Sequence, residues 1–343
     1  MGTIFETLRT TTAHWARTRW PGIAAVAAVA ATLAACSSAG GPTGGGLASS
    51  GVSSNGSKLI LFELSFPCGL NPGTNQLCAG VTAEAKQLPA GFKVEIKTGI
   101  NYADNSAFNS LIETSLQLNP AGLIIFPGGP AAQTPVMNQA CAKGVKIVIM
   151  ESPATGLKCQ SGFVGTNNFK LGQEDAEWLI THPPSSKQIG IVTQPPGEYV
   201  STDDRVRGFT QTITTAGYQV VATAVTNLSL DTTRTEVTNM VTAHPKLGAV
   251  FSANGPMGDG TEQALKKNHR IAQLTLDGLP NDVRSIVNGT ISADAVSDGY
   301  AEGELAVRNM AAVLQGHHIP ATTYVPSTLI DNANANAYLD KLK

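Results

Sequence analysis

Two kinds of apolar pattern alternate along most of the chain. Lys58-Leu-Ile-Leu-Phe-Glu-Leu64 is a short, nearly continuous apolar run, as expected of a buried strand. Residues 74–88 then read as a helix, and Phe92–Lys97 alternates in and out like a strand. Across 105–118, Phe108, Leu111, Ile112 and Leu116 fall on one helical face. Gly122–Phe126 is the next strand and Pro127-Gly-Gly-Pro130 breaks it, before a helix near 131–143 and a strand Val145–Met150. The scheme repeats with helices 169–181, 203–216, 232–243 and 258–268, and with strands Gln188–Val192, Tyr218–Ala222, Ala249–Ser252 and Gln273–Leu276. Continuous apolar strands alternating with helices imply parallel sheets covered on both faces. Two such runs imply an α/β chain of two doubly wound lobes. Ligands of open parallel sheets sit beyond the carboxyl ends of the strands, so function is sought there.

The residues before this pattern do not share it. Arg9, Arg17 and Arg19 precede an apolar run, Gly22–Ala35, of 14 residues, shorter than the ~20 that span a bilayer. A charged region followed by a short apolar one reads as an export signal over 1–35. The run ends Leu33-Ala34-Ala35-Cys36, which resembles a bacterial lipobox. The resemblance implies cleavage before Cys36 and a lipid on its thiol, which would hold the protein at the outer, extracytoplasmic face of the cell membrane. Residues 36–57, rich in Ser, Gly and Ala, would form the anchor and a flexible tether. Loss of the signal removes three arginines and one glutamate and moves the net charge from −2 to −4. With 42% hydrophobic and 14% charged residues the chain is no disordered tail, and nothing builds the basic stripe of a nucleic-acid binder. Cys68, Cys78, Cys141 and Cys159 remain, and four cysteines allow three pairings. The short loops favour Cys68–Cys78 and Cys141–Cys159. CxxC spacing and clustered histidines are both missing, so no metal site is expected.

The strand ends carry a short polar set. Ser65 and Phe66 follow the first strand, with Asn71-Pro72 beyond a cysteine-bearing insertion. Glu151 follows Val145–Met150, Asn254 follows Ala249–Ser252, and Asp277-Gly278 follows Gln273–Leu276. Arg205 lies early in the helix after strand 188–192, beside Asp203 and Asp204. An acid, an amide, an arginine and an aromatic suit a polyhydroxylated ligand: carboxylates and amides pair with vicinal hydroxyls, and the guanidinium donates a rigid fork. Each residue also has a plain structural reading. Asp277-Gly278 and Asn254-Gly255 are common turn pairs, Arg205 can pair on a solvated face, Glu151 can cap a loop and Phe66 can be core. Their shared topological position is what joins them.

Val164-Gly-Thr-Asn-Asn168 with Leu171-Gly172, Arg205-x-x-Gly208-Phe209, Ala249–Asn254, Leu276-Asp277-Gly278, Asn288–Ala293 and Gly303-x-x-Ala306 resemble phrases of ribose-binding-protein-like (type I) periplasmic binding proteins, in family order. The resemblance implies two doubly wound lobes joined by a three-segment hinge near 164–168, 297–300 and 324–327. The lobes would be 58–166 with 298–324, and 167–297 with 325–343. It also implies a solute receptor that hands a sugar or polyol to an ABC permease and works as a monomer without a cofactor. Arg205, Asn254 and Asp277 match positions that bind sugar hydroxyls. Glu151 replaces an aspartate there, Ser297 replaces a glutamine, and Asn71 matches the first loop's Asn-Pro. Departures are Ser152, where many members carry arginine, and Gly73-Thr74, where paired aromatics stand; Phe66 would compensate. A sensory receptor of the same fold, signalling to a membrane kinase or chemoreceptor, is the alternative. An enzyme is not expected, since nucleophile-elbow and Walker motifs are both missing.

Overall fold

The computed structural model describes residues 56–341 except 71, 102 and 103. The export signal, Cys36, nearly all of the tether and Asn71 therefore lie outside the described residues. The first sheet takes shape as β1 (Lys58–Leu64), α1 (Pro72–Gln87), β2 (Phe92–Thr98), α2 (Asn105–Leu116), β3 (Gly122–Phe126), α3 (Pro130–Ala142), β4 (Lys146–Met150) and β5 (Gln160–Thr166). The second continues with α4 (Asn168–Thr181), β6 (Gln188–Thr193), α5 (Val200–Thr215), β7 (Gln219–Val225), α6 (Leu230–Ala243), β8 (Leu247–Ser252), α7 (Gly255–Leu265), β9 (Ala272–Leu276), α8 (Pro280–Val287) and β10 (Ala293–Ser297). The chain closes with α9 (Gly299–Leu314), β11 (Thr322–Val325), β12 (Ser327–Asp331) and α10 (Ala335–Lys341).

Strand order is β11-β5-β4-β3-β1-β2 in one six-stranded sheet and β12-β10-β9-β8-β6-β7 in the other. Pairing is parallel throughout except between β10 and β12. That antiparallel edge departs from the all-parallel expectation. β11 runs parallel to β5 and so ends at the carboxyl side of the first sheet; only Pro326 follows before β12, which therefore enters the second sheet at the carboxyl ends of its strands and runs against β10. The chain passes between sheets at three places: Asn167, Asp298 and Pro326. Two of these residues also start helices. Asn167 accepts the Lys170 N–H and caps α4, and Asp298 accepts the Ala301 N–H and caps α9.

Both faces of the first sheet are covered. Along β1, Leu59 and Leu61 join one apolar cluster with α2 and α3, while Ile60, Phe62 and Leu64 join another with α1 and α9. Paired helices touch through glycines. A Cβ on Gly80 or Gly303 would meet the carbonyl of Tyr300 or Leu77, and one on Gly172 or Gly208 that of Arg205 or Phe169, all within 2.2 Å. The quoted Leu171-Gly172, Arg205-x-x-Gly208 and Gly303-x-x-Ala306 phrases are thus packing requirements of α4 on α5 and α1 on α9. Disulfides join Cys68 to Cys78, tying the loop after β1 to α1, and Cys141 to Cys159, tying α3 to the start of β5. Among the described residues no helix is long and apolar enough to cross a membrane.

Candidate ligand-binding cleft

A cavity of about 410 Å³ lies where the carboxyl ends of the two sheets face each other, within the ~300–1,000 Å³ typical of small-molecule sites. Its position follows from topology. In each sheet the chain reverses winding beside the first strand of the lobe, which opens a crevice at that strand's carboxyl end. The first lobe supplies Leu70, Thr74, Leu77, Phe126, Glu151 and Ser152; the second supplies Gln194, Tyr199, Arg205, Asn254, Asp277 and Ser297.

Arg205 organises the second wall. Its Nε donates to Asn168 Oδ1 at 2.8 Å, and Nη1 donates to the Ala253 carbonyl at 3.1 Å and to Asp277 Oδ1 at 2.9 Å. Among the described residues those bonds use Nε and Nη1 and leave Nη2 for the cavity. Asp277 Oδ2 accepts the Gly255 N–H at 3.0 Å, at the first turn of α7. The residue holds φ of 93°, a left-handed backbone that favours glycine. Asn254 is not a turn residue: it caps α7, its Oδ1 taking the Met257 N–H at 3.0 Å, while Nδ2 donates to Gln194 Oε1. Thr202 donates to the same oxygen.

Beneath this wall lie further acids. Asp294 is fully buried and accepts the Gly278 N–H on both oxygens at 3.1 Å. Burial first, and then the charge of Asp277, raises it well above the usual carboxylate range. Burial likewise pushes Asp282 up to about 10 and the Tyr338 phenol, on the cavity wall, up to about 12. Tyr338 therefore keeps its proton and can donate it.

The first lobe differs from the expectation in two respects. Phe66 does not line the cavity. It is fully buried and meets Phe126 edge-on, with ring centroids 5.1 Å apart. The inward face of β1 explains this: Ile60, Phe62, Leu64 and Phe66 share one apolar cluster, so the alternation runs on past the strand. Phe126, the last residue of β3, is the aromatic on the wall. Glu151 does line the cavity, but its oxygens are engaged behind it. Oε1 accepts the Thr166 N–H at 2.6 Å and Oε2 the Asn168 side-chain amide at 3.3 Å. Thr166, whose N–H Glu151 accepts, donates its hydroxyl to Glu302 of α9. Ser297 is on the wall, at the end of β10. Among the described residues no group of His, Cys, Asp and Glu side chains could hold a metal ion.

Composition missed Phe126, Gln194, Tyr338 and Glu302. The strand-end rule could have found Phe126 and Gln194, which end or follow β3 and β6. Glu302 stands inside a helix and Tyr338 in the last helix, where nothing in the sequence points to a cleft.

The model of a family described as "Periplasmic binding protein domain" matches residues 62–318. The chain is 26% identical over 260 residues to the ribose import binding protein RbsB of Bacillus subtilis, covering 76% of this chain and 83% of that one. It is 23% identical over 274 residues to the D-allose-binding periplasmic protein of Escherichia coli, covering 76% and 87%. Among solved structures, an ABC transporter periplasmic solute binding protein from Actinobacillus succinogenes with bound D-allose superposes with a TM-score of 0.73 at 20% identity, covering 82% of this chain and all of that one. A carbohydrate transporter solute binding protein from Agrobacterium radiobacter in complex with D-arabinose gives 0.75 at 24% identity, covering 83% and 98%.

Proposed function

The chain belongs to the periplasmic binding protein domain family, and from that premise we propose that it captures a sugar or polyol in the cleft between its lobes and delivers it to an ABC importer. The observation that carries this reading is the second-lobe wall. Arg205, Asp277 and Asn254 are held in place by hydrogen bonds before any ligand arrives, so little ordering cost falls on binding. The relatives named for ribose and allose support the class of ligand. A solute touching both walls would favour a closed arrangement about Asn167, Asp298 and Pro326, because only a ligand with different affinity for two states shifts their balance. The lobes divide at those crossings, Glu151 and Ser297 complete the binding set, and the protein acts as a monomer without catalysis. Export and a lipid on Cys36 would place it outside the cell membrane.

Thermal unfolding of residues 37–343, refolded free of solute, tests the reading against pentoses, hexoses, polyols, inositols, nucleosides and amino acids. A ligand at 100 times its dissociation constant adds about 2.7 kcal/mol, a clear upward shift. A shift with a sugar or polyol is expected. A shift only with amino acids or nucleosides, or none at all, contradicts it.

A further inference from the structure

Glu302 lines the cavity from α9 and closes a chain of hydrogen bonds that reaches the second-lobe arginine. We infer that Glu302 is a positioning residue of the cleft: it fixes Glu151, Glu151 fixes Asn168, and Asn168 fixes Arg205. The inference rests on the cleft being the solute site.

The links run through the first lobe and cross to the second between Glu151 and Asn168. Thr166 joins the two carboxyls: its Oγ1 donates to Glu302 Oε1 at 2.5 Å and its N–H to Glu151 Oε1 at 2.6 Å. Glu151 also takes the Asn168 Nδ2 hydrogen at 3.3 Å, while Nδ2 donates to the Thr166 carbonyl at 3.4 Å as well. With its NH2 committed to Glu151 and the Thr166 carbonyl, Asn168 turns its own carbonyl to Arg205 Nε. Asn168 opens α4, directly after the Asn167 crossing, while Glu302 lies one turn into α9, directly after the Asp298 crossing. The chain of bonds thus connects two of the three passages between sheets. There is no slack around it: a Cβ on Gly165 would come within 2.7 Å of Glu151 Oε1.

Both carboxyls accept from Thr166, and their surroundings disfavour charging both. Burial, then the charge of Glu151 and its hydrogen bond, then Asp298, raise Glu302 well above the usual carboxyl range, while the Thr166 hydroxyl lowers it. The charged groups acting on it are therefore Glu151, at the end of β4, and Asp298, at the start of its own helix. α1 meets α9 through Leu77, Gly80 and Gly303 and through the Glu84–Arg308 ion pair, and β5 contributes the neutral Thr166. Arg308, the cation on these contacts, is held by both oxygens of Glu84. Once the proton leaves, two carboxylates face each other, and the constraint on Asn168 is lost.

The test reads Arg205 directly. In protein labelled with ¹⁵N-arginine, the Arg205 Nε–H resonance is identified by its disappearance in Arg205→Lys. It should be slow to exchange in the wild type and in Glu302→Gln, which keeps a neutral donor, and should broaden or vanish in Glu302→Ala. As the pH rises, protection of this hydrogen relative to an exposed arginine Nε–H in the same sample should fall in the wild type more than in Glu302→Gln. In parallel, D-ribose and D-allose are titrated by calorimetry. Glu302→Ala should bind about tenfold more weakly, and Glu302→Gln within about twofold of the wild type. A resonance indifferent to both variants and to pH overturns the inference, whatever the sugars do. Should neither sugar bind while the resonance responds as expected, the positioning role stands and the sugar reading is what fails. The pH comparison of the wild type with Glu302→Gln does not use Glu302→Ala, so an unfolded Glu302→Ala leaves the test intact.

Discussion

Arg205→Lys is the perturbation that separates geometry from charge at the cleft. Lysine keeps the positive charge and can follow Asp277. It offers one compact ammonium on a flexible stem, however, where arginine offers a planar fork. The native side chain serves Asn168, the Ala253 carbonyl and Asp277 together, and an ammonium placed at Asp277 abandons the other two and the ligand-facing edge. Hydrogen bonds to charged groups contribute about 1.5–3 kcal/mol each, so solute affinity should fall roughly 10- to 150-fold. The ion pair itself counts for less, because Asp277 is 29% exposed and Arg205 only 11%. Without ligand, two acceptors lose their donor, at a cost of about 1–2 kcal/mol and a Tm about 2–5 °C lower. Titration calorimetry with whichever sugar shifts the wild type, and thermal unfolding of the ligand-free variant, read the two effects. A Kd within twofold of the wild type together with an unchanged Tm would refute the reasoning.

Four further outcomes follow from the same contacts. Glu63 is fully buried on β1, and burial lifts it from 4.5 to about 7. The folded state thus holds this proton more tightly than the unfolded chain. Its contribution is complete below about pH 4.5 and lost as pH rises through about 7, an effect on the order of 3 kcal/mol. Urea midpoints should fall from acid to alkaline pH in the wild type, and the slope should flatten in Glu63→Gln. Gly172→Ala drives a Cβ to 2.0 Å from the Arg205 carbonyl, so it should cost about 1–3 kcal/mol in urea unfolding and weaken solute binding as well. Phe126→Ala should weaken binding with modest loss of stability, whereas Phe66→Leu should lower the Tm and leave Kd within about twofold; the reverse would restore Phe66 to the wall. Reduction of the disulfides, whose cysteines lie 10 and 18 residues apart, should cost about 3 kcal/mol each, seen as a lower urea midpoint in dithiothreitol.

The alternating pattern made most of the fold readable. Runs such as Leu59–Leu64 and Ile147–Met150 are buried on both faces, and only a covered parallel sheet uses such runs. β5 escaped this reading because Gln160–Thr166 carries Gly162 and Gly165, which yield to Ile319 and Glu151. Its strand character comes from β4 and β11 on either side, contacts far apart in sequence. The second wall was legible for the same reason as the sheets: Asn254 and Asp277 stand directly after strands. Phe66 shows the limit of that rule. It follows a strand too, but the period-two register of β1 turns it inward, a signal that was present in Ile60, Phe62 and Leu64. Glu302 had no local signal, since its role depends on two crossings meeting behind the cleft.

Calorimetric titration of sugars and polyols into the wild type and into a double Arg205→Lys, Asp277→Ala variant tests the central claim most directly. The account predicts saturable one-to-one binding of at least one sugar or polyol to the wild type, and no measurable heat from the double variant at the same concentrations while it remains folded. Undiminished binding in the double variant, or no binding of any sugar or polyol to folded wild type, would contradict it.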